Sequence, residues 1–135
     1  MSAVVADTHS ILWYLNNLPD LSPAALQAME TAEQSGEAIY VPSIVLVELR
    51  YLVEKGRDIT ESDFQTVMTE LRSPSSALTL APLDQLTAET LAQIPRATVP
   101  DMPDRIIATT ALALGVPLVT RDSEIHKLTN ITIIW

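Results

Sequence analysis

The chain has 135 residues, a length that suits a single domain spanning 1–135 around one hydrophobic core. Apolar residues make up 47% of the sequence, which excludes an intrinsically disordered protein. Cysteine is absent, so disulfide bonds, zinc–thiolate sites and a cysteine nucleophile are excluded as well. The 17 acidic residues outnumber the 8 basic ones, and the net charge of −9 argues against loose binding of nucleic acid through a basic surface.

Two segments bear on where the protein resides. The first residues, MSAVVAD, lack the positive charges and the long apolar stretch of a secretory signal. The longest apolar segment, 106–119, contains Gly115 and Pro117 and is shorter than the about 20 residues that cross a bilayer. The sequence therefore predicts a cytoplasmic protein without a membrane span.

Predicted strands and helices alternate along the chain. Short apolar runs predict strands at 3–6, 38–41, 78–81, 118–120 and 131–134. Helices are expected at about 8–15, 23–35, 43–55, 60–71, 86–93 and 104–114, with a short helical turn after Asp122 and a proline-containing loop at 97–103. Helix starts are marked by Ser22 before Pro23 and by the Thr60–Asp63 capping box, and helix ends by Gly36, Gly56 and Gly115. This alternation predicts an α/β fold with a central, mostly parallel sheet of about five strands.

The predicted helix 43–55 carries more apolar residues than one helical face can hold. Either the helix lies wholly in the interior, or a second face is buried against another subunit or protein. In so small a domain the second possibility is at least as good, and it predicts a homodimer and a partner helix.

Two acids follow predicted strands. Asp7 ends the first strand and Asp122 lies just past the strand 118–120. If those strands are neighbours, both carboxylates lie at the same edge of the sheet, where open parallel sheets bind ligands. Each acid alone is better explained as a helix cap or a turn residue.

Two further acids have both structural and functional explanations. Glu48 lies within the apolar segment IVLVELRYLV, and a buried carboxylate requires either a metal or a salt bridge, for which Arg50 and Arg105 are candidates. Asp104 opens an apolar helix three residues after Asp101, so both project from the same helix end. Asp101 could equally be the N-cap, with Asp104 in the first turn.

A carboxylate cluster without cysteine or paired histidine is the composition of a Mg²⁺ or Mn²⁺ site. Bound cations would also offset the negative charge where an anionic substrate lies. His9 and His126 are single, and we interpret them as packing or surface residues.

Three segments, ADTHSILWYL, VELRYL and PDMPDRIIATTALALGVPLVTRD, resemble the PIN domain, and more narrowly the toxin nucleases of VapBC-type toxin–antitoxin pairs. The resemblance covers essentially the whole chain, and its most specific part is the last segment. It implies a three-layer α/β/α fold whose metal-binding acids are Asp7, Glu48, Asp104 and Asp122. It also implies an accessory acid at Asp101 and small hydroxyl residues beside the site at Thr8 and Thr120.

The function that this resemblance implies is metal-dependent endonucleolytic cleavage of RNA by a homodimer that a cognate antitoxin inhibits. The expected chemistry is hydrolysis of a phosphodiester bond with one or two Mg²⁺ or Mn²⁺ ions. Arg105 or Arg121 could contact the phosphate, though either could instead pair with the acidic cluster. Water attack predicts a 5′-phosphate and a 3′-hydroxyl, since no histidine pair is available for chemistry at the 2′-hydroxyl.

Three other functions also place acids at the ends of strands or on the surface. A phosphoacceptor signalling domain needs paired acids after the first strand and a late-strand lysine, whereas Asp7 is followed by Thr8, His9 and Ser10 and the only late lysine is Lys127. A haloacid-dehalogenase-type phosphatase needs Asp-x-Asp there, and position 9 is His. A non-enzymatic acidic interaction domain, whose acids are caps and solvated charges, stays possible and predicts no metal binding.

Overall fold

The structure of the protein is a computed structural model that describes residues 2–135. Its strands are β1 (Val4–Ala6), β2 (Ile39–Pro42), β3 (Leu78–Ala81), β4 (Leu118–Val119) and β5 (Ile133–Ile134). Its helices are α1 (Thr8–Leu15), α2 (Pro23–Gln34), α3 (Ser43–Lys55), α4 (Glu61–Arg72), α5 (Gln85–Thr90) and α6 (Met102–Leu114). Short 3₁₀ turns follow α5 at Leu91–Gln93 and β4 at Ile125–Lys127, so the predicted alternation of strands and helices is confirmed.

All the strands pair in parallel, in the order β3-β2-β1-β4-β5. The chain runs outward from β1 through β2 to β3 and then crosses back to place β4 on the other side of β1. The strand order therefore reverses between β1 and β4, and open α/β sheets bind ligands at the carboxyl ends of the strands beside such a reversal. Because Ala6 pairs with Val119, the residues that follow β1 and β4 leave the sheet side by side.

Strand β1 lies at the centre of the core. Val4, Val5 and Ala6 are all buried, although successive side chains of a strand point to opposite faces of the sheet. Helices must therefore cover both faces: α2 packs on β1, β2 and β5, and α6 packs on β1 and against α3 and α5. The predicted three-layer α/β/α fold with a five-stranded parallel sheet is confirmed.

The start of α6 differs from the prediction. The sequence pattern placed 97–103 in a loop and began the helix at about Asp104, but α6 begins at Met102. Asp101 caps the helix, since its carboxylate accepts a hydrogen bond from the backbone N–H of Asp104 at 3.1 Å. Pro103 fits the first turn because the backbone N–H groups there have no helical acceptor to lose.

Helix α3 is not wholly interior, and that interpretation of its apolar sequence is wrong. Val45 and Leu49 are its buried residues, whereas Val47 and Tyr51 are 49% and 58% exposed. The prediction that a second protein covers this exposed face stays a prediction. None of the helices among residues 2–135 is both long enough and apolar enough to span a bilayer.

Candidate metal and phosphodiester site

An open groove of about 740 Å³ lies at the carboxyl ends of β1 and β4. Its lining includes the carboxylates of Asp7, Glu48, Asp101, Asp104 and Asp122, which come from four separate parts of the chain. The fold therefore brings all the acids that were singled out in the sequence to one cavity. Thr8, at the start of α1, also lines the groove.

Thr120 links two of these acids. Its side chain is fully buried after β4, and its hydroxyl donates a hydrogen bond to Oδ2 of Asp7. The same hydroxyl oxygen accepts a hydrogen bond from the backbone N–H of Asp122 at 3.0 Å. A single side chain thus holds the end of β1 and the segment after β4 in a defined relation.

Asp7 and Asp122 also have the role of a helix cap or turn residue that the sequence predicted for each acid alone. Oδ1 of Asp7 caps α1 by accepting a hydrogen bond from the backbone N–H of Ser10 at 3.0 Å. Oδ1 of Asp122 accepts two, from the backbone N–H groups of Glu124 and Ile125, at 2.9 Å each. The second oxygen of the Asp122 carboxylate takes no part in these capping bonds. It is therefore available to a ligand in the groove that Asp122 lines.

Glu48 lies in the middle of α3 and takes no arginine partner. Its Oε1 accepts a hydrogen bond from the Thr8 hydroxyl at 2.7 Å. Burial raises the pKa of Glu48, the hydrogen bond from Thr8 opposes that rise, and the nearby carboxylates of Asp101 and Asp7 add to it.

The predicted salt bridge from Glu48 to an arginine is wrong. Arg50 instead forms a bidentate ion pair with Glu61, with N–O distances of 2.7 and 2.9 Å. Arg105 donates to the backbone carbonyls of Ile94 and Leu91 at 2.8 and 3.0 Å. Among residues 2–135, Glu48 therefore forms no ion pair with an arginine.

Asp104, the third residue of α6, shows the strongest electrostatic perturbation in the groove. Its pKa rises from 3.8 to about 8, first because the carboxyl is partly buried and then because Asp122, Asp101 and Glu48 place negative charge around it. A carboxylate so crowded by like charges is in an environment that favours a cation.

The chemistry of these donors fits a divalent cation. The groove offers carboxylate and hydroxyl oxygens, and the chain has no cysteine thiolate, so these donors are of the kind that Mg²⁺ and Mn²⁺ prefer. As the side chains stand, no three acidic or histidine residues within 2–135 are close enough to share one ion. Side-chain rotation would have to bring the carboxylates together, against the mutual repulsion that otherwise separates them.

The two arginines that were expected near a phosphate have different positions. Arg105 is bound to the carbonyls of Leu91 and Ile94, at the two ends of the 3₁₀ turn that follows α5, and does not line the groove, so its expected contact with a phosphate has no support. Arg121 lines the groove and is exposed. Its guanidinium carbon lies 4.7 Å from the ring centroid of Trp13.

Several residues that line the groove were not among those predicted from the sequence. Val47, Tyr51 and Lys55 line the cavity together with Trp13 and Met102. A signal for three of them was present, because positions 44, 47, 48, 51, 52 and 55 recur at helical spacing around Glu48 on one side of α3. Trp13 lies four residues after His9 on α1, and their rings are 5.5 Å apart.

Comparisons with known proteins agree with this architecture. The model of the PIN domain family matches residues 4–131. Ribonuclease VapC22 from Mycobacterium tuberculosis is 28% identical over 137 residues, which cover 100% of both chains.

Among solved structures, the chain resembles VapBC2 from Rickettsia felis bound to a promoter DNA fragment, with a TM-score of 0.71, 20% identity, and coverage of 97% of this chain and 96% of the other. It also resembles DNA-bound VapBC from Salmonella typhimurium, with a TM-score of 0.69, 24% identity, and coverage of 98% and 97%. The match of the family model over nearly the whole length, on a fold of the same kind, shows that this chain belongs to the PIN domain family.

Proposed function

We propose that the chain is a metal-dependent endoribonuclease and the toxin of a VapBC-type toxin–antitoxin pair. The observation that carries this proposal is the convergence of Asp7, Glu48, Asp104 and Asp122 on one groove where the strand order reverses. Caps and turns do not require such crowding, because each added carboxylate raises the electrostatic energy of the others. Family membership and the resemblance to a mycobacterial ribonuclease support the same activity.

The four acids would hold Mg²⁺ or Mn²⁺, and Asp101 would assist as an accessory ligand. When bound, the cation makes water easier to deprotonate and offsets the negative charge that develops on the phosphate. Thr120 and Thr8 act on the acids themselves: the first orients Asp7, and the second orients Glu48. These hydrogen bonds reduce the conformational freedom that the carboxylates would otherwise lose on binding an ion.

Binding of a metal ion should also release a proton from Asp104. With a pKa of about 8, its carboxyl is mostly protonated at neutral pH before an ion binds. Ligands must be deprotonated to bind a metal, so binding releases this proton and the affinity for the ion rises with pH up to about 8.

Hydrolysis should leave a 5′-phosphate and a 3′-hydroxyl. Cleavage through the 2′-hydroxyl needs a positioned general base and general acid, for which a pair of histidines is the usual choice. His126 is held by the backbone carbonyl of Thr120 at 2.8 Å and does not line the groove, which leaves His9 alone there. Water is therefore the nucleophile that this groove favours.

We further propose that an antitoxin occupies the groove and that the chain forms a homodimer in the cytoplasm. The wall of the groove contains Val47, Tyr51 and Met102, which are 49%, 58% and 63% exposed. Such a wall suits the apolar face of a partner helix. The similar structures from Rickettsia felis and Salmonella typhimurium are complexes of VapBC pairs.

The test is cleavage of RNA by the purified chain with Mg²⁺ or Mn²⁺, with a chelator, and with the Asp104→Asn variant. We expect metal-dependent cleavage that the variant lowers by about three orders of magnitude or more, as for loss of a ligand at a metal centre. Glu30→Gln, which removes an exposed charge on α2, serves as the matched control and should cleave normally. Undiminished cleavage by Asp104→Asn, in a preparation free of contaminating nuclease, would refute the assignment.

Metal binding separates this proposal from a non-enzymatic acidic domain. Calorimetric titration with Mn²⁺ should show binding to the wild-type chain that Asp104→Asn weakens strongly. Absence of binding to the wild type would favour the interaction domain, whereas equal affinity in both proteins would exclude Asp104 as a ligand.

A further inference from the structure

Arg121 occupies an unusual position for a basic side chain beside an acidic cluster. It immediately precedes Asp122 and lines the same groove as the other acids. Coulomb attraction would be expected to draw its guanidinium onto a carboxylate. Among residues 2–135, however, the ion pairs within 4.0 Å are His9–Asp58 and Arg50–Glu61, and neither involves Arg121.

The ring of Trp13 explains why the guanidinium stays apart from the acids. The guanidinium carbon lies 4.7 Å from the ring centroid, within the distance at which a cation is attracted to an aromatic face. Trp13 is itself held in place, since its ring contacts that of Trp135 at 5.9 Å and that of His9 at 5.5 Å. Trp13 therefore provides a fixed platform that competes with the carboxylates for the cation.

The contact with Trp13 leaves the hydrogen-bonding capacity of Arg121 for other ligands. The ring attracts the positive charge of the guanidinium, whose five N–H donors lie in its plane and point outward from its edge. The N–H groups of Arg121 form none of the hydrogen bonds found among the described residues, so they remain available to a ligand. Planar, bidentate N–H groups are well matched to phosphate oxygens.

The basic residues of the groove indicate which ligand the N–H groups of Arg121 bind. Of the lysine and arginine side chains within 2–135, Lys55 and Arg121 line the groove, so little else there attracts an anionic chain. Single-stranded RNA binds through phosphates, and each basic contact contributes affinity that falls with salt.

We propose that Arg121 binds a backbone phosphate of the RNA substrate and that Trp13 is the residue that positions it. The inference rests on the proposed ribonuclease function and adds the group that holds the substrate beside the metal ligands. Arg121 touches the substrate directly, whereas Trp13 acts only through Arg121.

The first experiment measures steady-state cleavage and RNA binding by Arg121→Gln. We expect KM to rise about tenfold or more, the effect of losing one charge-assisted hydrogen bond, with a much smaller change in kcat. Arg121→Lys should recover part of the loss, because it restores the charge without the planar donors. Arg72→Gln, an exposed arginine at the end of α4 outside the groove, is the matched control and should leave KM unchanged.

Salt dependence identifies the contact as one to a phosphate. Binding of a labelled single-stranded RNA to the Asp104→Asn protein is followed by fluorescence anisotropy over a range of KCl concentrations. Adding Arg121→Gln should reduce the slope of log affinity against log salt by about 0.7, the value for one phosphate contact on a single strand. A merely structural role for Arg121 would leave that slope unchanged.

A double-mutant cycle tests the positioning role of Trp13. Trp13→Leu should raise KM when Arg121 is present and have little further effect in the Arg121→Gln background. Trp13→Phe keeps an aromatic face and should restore most of the affinity, which also guards against misfolding of the leucine variant.

The outcomes separate this inference from the function on which it rests. If the wild type cleaves RNA while Arg121→Gln matches Arg72→Gln in KM and salt slope, the role of Arg121 is refuted and the nuclease stands. Additive effects of Trp13→Leu and Arg121→Gln would refute the positioning role. A folded wild type that neither binds nor cleaves RNA would overturn both.

Discussion

Replacing Asp104 by asparagine should stabilise the metal-free protein at alkaline pH. Burial and the neighbouring carboxylates raise the pKa of Asp104 from 3.8 to about 8 in the folded state. Because the folded state has the higher pKa, it binds the proton more tightly than the unfolded chain does, and this favours folding at low pH. The advantage is lost as the pH rises from 3.8 to about 8, and above that range the ionised group keeps its full penalty.

The magnitude follows from the same two pKa values. A fully buried group whose pKa moved from 3.8 to about 8 would change the free energy of unfolding by roughly 5–6 kcal/mol. Solvent reaches a large part of this carboxyl and screens its neighbours, so we expect about 2 kcal/mol. Asparagine has nearly the same size, cannot ionise and leaves the backbone N–H bond to Asp101 in place, so the variant should lack the part of the decline that Asp104 contributes.

The assay is urea unfolding in a chelator at about pH 4 and about pH 9, with Glu30→Gln as the control. At the lower pH the three proteins should have similar stability, and at the higher pH Asp104→Asn should exceed the other two. Added Mg²⁺ should stabilise the wild type more than the variant, since a ligand stabilises only the state that it binds. The same pH dependence in wild type and Asp104→Asn would refute the reasoning about crowded carboxylates.

Three other predictions follow from the contacts. Arg105→Ala should lower the free energy of unfolding by about 1–3 kcal/mol, because the carbonyls of Leu91 and Ile94 lose their donors. RNA cleavage per folded molecule should stay normal. A large loss of activity without destabilisation would instead give Arg105 a role at the substrate. Thr120→Val keeps the volume of the side chain but removes the hydroxyl that joins Asp7 to Asp122. We expect kcat to fall about tenfold or more in cleavage kinetics, and urea unfolding to show a stability loss of about 1 kcal/mol. An unchanged kcat would contradict this role of Thr120. Light scattering at micromolar concentrations should show a homodimer. If the protein is monomeric and no antitoxin co-purifies with it after co-expression, the predicted partner surfaces are refuted.

Much of the fold could be predicted because local signals and global topology agree. Helix α3 has the predicted bounds, since Gly56 adopts the left-handed conformation that ends a helix, with φ of 67°. The last two strands are shorter than predicted, with two residues each. Apolar sequence favours a strand, but its length depends on how far the neighbouring strand continues to pair, and that is a property of distant residues.

The convergence of the acids on one groove could be predicted from the sequence, whereas the contacts of the basic residues could not. The positions of Asp7 and Asp122 follow from the rule that parallel strands place their carboxyl ends at one edge. The expected pairing of Glu48 with Arg50 failed for a geometric reason, because residues two apart on a helix do not face each other. Arg105 is adjacent to Asp104 in sequence, yet its long side chain reaches carbonyls at the end of α5, which sequence spacing does not reveal.

The capping bonds of Asp7, Asp101 and Asp122 have a consequence for how such a protein loses activity. Asparagine caps helices about as well as aspartate, so exchange at any of the three keeps the helix cap while removing a charge. A single nucleotide change converts an aspartate codon to an asparagine codon. Under the proposed function, harmless yet fully folded forms of the toxin are therefore one mutation away, and they would still sequester the antitoxin from active copies.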